Sequence, residues 1–99
     1  MIRTDTLYRW ATRRFGISEC IGIKYCNKKL LMYGEYNFEK KIIYLNKRYI
    51  KSVGTLYRTV AHEWTHAQQD MGLYYELLHT YDYDNHPLEK EARLRERSV

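Results

Sequence analysis

The sequence predicts an α+β domain: an N-terminal helix, a small, mostly antiparallel three-stranded sheet, a long central helix and a C-terminal helix. Three observations predict it. Leu56, Val60, Trp64, Ala67 and Met71 recur every three or four positions, the period of an amphipathic helix. Between residues 20 and 46, short segments rich in Ile, Tyr and Leu alternate with polar breaks, as strands do. Pro87 opens a charged, helix-forming segment in which its missing N–H costs nothing. With 99 residues, one Pro, five Gly and no internal repeat, residues 1–99 form a single domain.

Each element has its own signal. Thr4 or Asp5 can cap a first helix that runs to Phe15, with Leu7, Trp10, Ala11 and Phe15 on one face and Gly16 as its stop. Cys20 to Cys26 alternates, placing Ile21, Ile23 and Tyr25 on one side of a strand. Leu30 to Asn37 and Lys41 to Asn46 are two more strands, joined through Phe38, Glu39 and Lys40 as a hairpin. The unbroken apolar run Ile42 to Leu45 belongs deeper in the sheet, which leaves Leu30 to Asn37 at an edge. Ser52 caps the central helix, whose apolar stripe extends to Met71 and which Gly72 stops. A Tyr-, His- and Asp-rich stretch follows, with a short helical piece at Leu73 to Leu78. Glu89 and Glu91 then sit near the positive end of the last helix.

Composition narrows the function classes. The net charge is +5, and the positive residues form two local concentrations, Arg9, Arg13 and Arg14 in the first helix and Arg93, Arg95 and Arg97 in the last. In the last helix Glu89, Glu91 and Glu96 are interleaved with them, so that surface is mixed, and nucleic-acid binding is only weakly supported. Cys20 and Cys26 are too far apart within one strand to bridge and do not form a zinc pair, which suits free thiols in a reducing compartment. Charge appears within the first residues and no apolar run reaches membrane-spanning length, so the expectation is a cytoplasmic protein without a membrane partner.

The chemistry concentrates in His62-Glu63-Trp64-Thr65-His66. Histidines four positions apart lie about 40° apart around a helix, so their imidazoles can meet at one ion. Glu63, on a neighbouring edge of that face, can reach a water without binding the metal. Catalytic zinc needs this division: neutral nitrogen ligands, an open position and a separate carboxylate to take a proton. A third ligand is required. A histidine six residues after His66 would supply it, but that position is Gly72. The alternative is a carboxylate from Pro87-Leu88-Glu89-Lys90-Glu91-Ala92, projected from a second helix packed across the first.

The run Thr59 to Gln69 together with Pro87-x-Glu89-x-Glu91-Ala92 resembles the gluzincin metallopeptidases, in particular short phage-type or mobile-element-type members with a minimal zincin-like fold. The resemblance spans Ile42 to Asn46, the central helix and Pro87 to Ala92. It implies one zinc per chain, bound by His62, His66 and the Glu of a Glu-x-x-Ala pattern, which lands on Glu89. A thermolysin-like register would use Glu91. It implies Glu63 as the general base of peptide-bond hydrolysis, and a peptide or protein substrate added as a strand to the edge at Leu31 to Asn37. Two departures stand out. The family's supporting Asp, four residues after the ligand Glu, is replaced by Arg93, so Asp70, Asp82, Asp84 or a backbone carbonyl would have to serve. The chain after Gly72 is also short, so the wall that usually closes the cleft is reduced.

Tyr81, Tyr83, His79 and His86 come from the segment able to reach over the site and are the candidates for steadying an oxyanion. Gln69 is expected to support the helix pair. The competing reading is a zinc-stabilised, non-catalytic module that binds protein or nucleic acid. Glu63 separates the two, because a structural site has no use for a base beside an open position.

Overall fold

The structure, a computed structural model, describes residues 1–29 and 32–99. The elements run α1 (Thr4–Phe15), β1 (Gly22–Cys26), β2 (Gly34–Asn37), β3 (Ile42–Asn46), α2 (Val53–Gln68), α3 (Met71–Leu77) and α4 (Pro87–Arg97). This is the expected α+β class, with the sheet order β1-β3-β2. The continuous apolar strand is central and β2 is an edge. The expected antiparallel bias is corrected to a mixed sheet: β2 pairs antiparallel with β3, but β1 pairs parallel with it.

The registers put both neighbours at the C-terminal end of β3: β1 ends with Cys26 opposite Asn46, and β2 begins with Gly34 opposite Leu45. Asn46, fully buried, holds the chain just after β1. Its Oδ1 accepts from the Lys28 and Arg48 N–H groups, and its Nδ2 donates to the Lys28 carbonyl. Leu30 and Leu31, the first residues of the expected second strand, lie outside the described residues. Of that segment, Gly34 to Asn37 forms strand.

Ile23, Tyr25, Ile43, Leu45, Gly34 and Tyr36 share one face of the sheet by register. Ile23, Ile43 and Leu45 are buried there against Leu7, Ala11, Leu56, Val60, Trp64 and Ala67 from the helices. The other face carries Lys24, Glu35 and Tyr44, with Lys28 paired to Glu35 at 2.6 Å. The molecule is thus two layers, with helices on one side of the sheet. Trp64 is the pivot of the core: its indole N–H donates to the Gly16 carbonyl at 3.0 Å and its ring meets Tyr8 edge-on. Gly16 ends α1 as expected, with φ of 89° that suits glycine.

Several boundaries differ from expectation. Neither Thr4 nor Asp5 caps α1. The helix starts at Thr4 behind Arg3, and Asp5 lies in the first turn, where its charge favours the helix dipole. Ile21 precedes β1 and is exposed, so it does not share the buried face of Ile23. Cys20 is buried before the strand and Cys26 is half-buried at its end; both are free. Ser52 caps α2 as expected, accepting from the Thr55 N–H. That helix stops at Gln68 rather than Met71, because Gln69 is extended and Asp70 caps a new helix by accepting from the Leu73 N–H. Gly72 is therefore inside α3 and is no stop. Among the described residues no helix is long and apolar enough to cross a membrane.

Candidate metal centre

α2 and α4 cross with one histidine-bearing face against one glutamate-bearing face. Ala92, fully buried one turn after Glu89, lets the helices approach. His62 and His66 project from α2. Glu89 projects from the first turn of α4, where the dipole favours a carboxylate. Glu89 Oε1 lies 3.1 Å from Nε2 of His62 and 3.1 Å from Nε2 of His66. One ligand atom from each of the three residues falls within 4.8 Å of the others, close enough to hold a metal ion. A tetrahedral ion with ligands near 2.05 Å needs neighbouring donors about 3.3 Å apart, which the two His–Glu spacings of 3.1 Å approach. Glu91 is exposed on another face of α4 and takes no part.

The hydrogen bonds behind the trio orient its donor atoms. His62 Nδ1 lies 2.7 Å from Glu96 Oε1, and an ionised carboxylate can only accept, so Nδ1 carries the proton. His66 Nδ1 lies 2.7 Å from Gln69 Oε1. The Gln69 amide is held in that sense because its Nε2 donates to the Leu88 carbonyl. Both neutral imidazoles therefore turn an Nε2 lone pair toward Glu89 Oε1. Three acceptors facing one another repel unless positive charge lies between them, supplied by protons or by a metal ion. This donor set fits a divalent cation.

Without a metal, protons fill that role. Burial works to lower the His62 pKa, but the Glu89 hydrogen bond, nearby Glu63 and the Glu96 contact push it up to about 9. His66 rises against the same burial penalty, through Glu89 and Glu63. Burial would raise Glu89, but its bonds to His62, His66 and Tyr74 hold it well below the usual carboxylate range. Glu63 differs: burial pushes it up, against the pull of both imidazoles and the Tyr36 backbone amide.

Glu63 stands outside the metal-binding trio yet lines the same cleft. The cleft passes the trio on both sides. A cavity of about 640 Å³ extends from His62 toward Thr55 and Arg58, and one of about 280 Å³ extends past His66 toward Met71 and Tyr75. Gly34 forms part of both walls. A Cβ there would meet Thr59 Cγ2 at 2.8 Å and the Tyr44 carbonyl at 2.9 Å, so only glycine lets this edge lie so close to α2. Because the Asn46 N–H bonds to the Tyr33 carbonyl, alternate residues Gly34 and Tyr36 turn their backbone groups away from β3, on the cleft side.

The other candidates differ in position. Tyr83 lines the cleft although 56% of its surface is exposed, and its partial burial, with Glu89 and Glu63 nearby, pushes its phenol up to about 12, so it remains a donor at neutral pH. His79 and Tyr81 are exposed. His86 is buried but occupied, capping α4 through the Leu88 N–H and bonding to the Tyr74 carbonyl. Asp70 caps α3, Asp82 binds Asn85, and Asp84 only lines the cleft, so none of them supports a histidine. Glu96 and Gln69 do so instead.

Two site residues were missed. Tyr74 donates its hydroxyl to Glu89 Oε2, fixing the second oxygen, and its own pKa is raised by burial and by that carboxylate. Glu96 lies seven residues after Glu89, two turns along the same face of α4. That spacing was a readable signal; for Tyr74 there was none beyond the richness of its segment in tyrosine. No family model matches this chain, and no curated protein or solved structure shows significant similarity to it.

Proposed function

We propose that this chain is a zinc-dependent peptidase of the gluzincin kind, with one zinc per chain bound by His62, His66 and Glu89. The observation that carries the reading is the position of Glu63: buried beside the trio, outside its ligand set, and facing the cleft. Nitrogen ligands with one carboxylate suit zinc in particular. When bound, zinc supplies a Lewis acid for the scissile carbonyl and lowers the pKa of a coordinated water toward neutrality.

The remaining work falls to the chain's own residues. Glu63 takes a proton from the attacking water and hands it to the leaving amine, serving first as base and then as acid. Its raised pKa suits both halves of that task. The outward backbone groups of Gly34 and the outward carbonyl of Tyr36 hold an extended peptide as an added strand, the Tyr36 N–H being turned to Glu63. Tyr83, protonated at neutral pH and facing the cleft, donates to the developing oxyanion.

The test is a digest of a broad peptide library by zinc-loaded wild type and by Glu63→Gln. The amide keeps the shape of Glu63 but cannot take a proton. Wild type should cleave, and the variant should keep zinc while losing activity by at least about a hundredfold. A zinc-bound wild type that cleaves nothing, and matches Glu63→Gln in every assay, would replace this reading with the zinc-stabilised binding module.

A further inference from the structure

The two ends of the cleft differ in charge. Beyond His66 the lining is largely Met71, Tyr74, Tyr75 and Tyr36, whereas beyond His62 it includes Arg58 and Arg93. Arg58 is four residues before His62, so it stands on the same face of α2 one turn nearer the N-terminus. Its guanidinium lies across Gly54, where a Cβ would come within 3.2 Å of both terminal nitrogens. Arg93 is four residues after Glu89 on the site-facing side of α4. It donates to the Asp84 carbonyl at 2.7 Å and lies 5.9 Å from the centre of the Tyr83 ring.

Among the described residues neither arginine has a carboxylate within ion-pair distance. Three carboxylates, Glu63, Asp84 and Glu96, line the same end, so what singles the arginines out is their lack of an ion pair and not an excess of positive charge. Glu96 is engaged by His62 at 2.7 Å, which leaves Asp84 as the one other carboxylate on this end of the lining besides the buried Glu63. Two guanidinium groups without ion-pair partners line one end of the cleft, and a guanidinium is the side chain best suited to bind a carboxylate.

Strand direction says which part of a substrate reaches them. Tyr33 lies at the arginine end of the cleft and Tyr36 at the other. Antiparallel pairing is the more stable per residue, and a peptide antiparallel to β2 runs from Tyr36 toward Tyr33. We propose that Arg58 and Arg93 select a substrate carboxylate on the C-terminal side of the bond that is cut. This rests on the peptidase reading. The carboxylate can be an acidic side chain or a free chain terminus, since both offer the same two oxygens.

Zinc-loaded Glu63→Gln protein, unable to turn over, provides a binding assay independent of cleavage. Fluorescent peptides carrying Glu or Gln at successive positions, each with a free or an amidated C-terminus, separate the two sources. One member of a pair should bind about tenfold more tightly: Glu over Gln for a side chain, free over amidated for a terminus. In an added Arg58→Gln background the ratio should fall to about threefold, and with Arg93→Gln as well to about one. Equal or undetectable binding of both members of every pair overturns the proposal, as does a preference that survives the double replacement. If wild type cleaves the library without any such preference, the peptidase reading stands and this inference falls. If the preference is found but wild type cleaves nothing, the peptidase reading falls and takes with it the placement of the carboxylate relative to a cut bond.

Discussion

His62 and His66 each use one ring nitrogen to fix the other. Nδ1 is committed to Glu96 or to Gln69, so Nε2 is left for the centre of the site. The Glu96 contact has measurable consequences. Glu96→Gln keeps the geometry but weakens the anchor of His62, and zinc affinity should fall about 10- to 100-fold in competition with a chelating dye. Unchanged affinity would remove Glu96 from the site. Protons and metal compete for the same Nε2 atoms, which sets a pH dependence. A histidine whose folded pKa is raised stabilises the fold fully below its unfolded value of 6.5, and that stability is lost as pH rises through about 9. Melting temperature in chelator should therefore fall between about pH 6.5 and 9, and zinc should remove the fall because it replaces the protons. A His62→Gln protein, also in chelator, should show a smaller fall. A flat profile in the chelated wild type would contradict the assignment.

At the scale of elements, the packing of α2 against α4 brings His62, His66 and Glu89 together, and the approach of β2 to α2 builds one wall of the cleft. The second depends on Gly34. A methyl group there meets a backbone carbonyl that cannot turn aside, so β2 must shift. Gly34→Ala should cost about 1–3 kcal/mol of stability in urea melts. Peptide hydrolysis should fall more steeply than zinc affinity, because the wall moves and the ligands do not. Equal losses in both would mean that the strand supports the trio itself. Periodicity made these elements legible: the stripe from Leu56 to Ala67, the cap at Ser52 and the start at Pro87 all stand where sequence placed them. The same periodicity misled at Met71, which continues the stripe of α2 by spacing alone. The local bond from Asp70 to the Leu73 N–H starts a new helix there and outweighs that spacing.

For the whole molecule, the α+β class and the two facing histidines were legible because they rest on spacing within single segments, whereas Glu89 rather than Glu91 came from the resemblance to the gluzincins. The parallel pairing of β1 was not, since strand order depends on long-range contacts such as the buried Asn46 amide, which holds Lys28 just after β1. Tyr74 escaped for a related reason: its bond to Glu89 exists only once α3 and α4 are assembled. That assembly also ties metal to stability. Three residues from two helices meet at one point, so zinc at about a thousand times its Kd should add about 4 kcal/mol, on the order of 20 °C in a domain of this size. The most direct test of the account is native mass spectrometry of purified protein with limiting and excess zinc. Wild type and Glu91→Ala should each hold one zinc per chain, and Glu89→Ala and the His62→Ala/His66→Ala double variant should hold none under limiting metal. Stoichiometric zinc in the double variant, or loss of zinc from Glu91→Ala with Glu89→Ala still loaded, would contradict the centre described above.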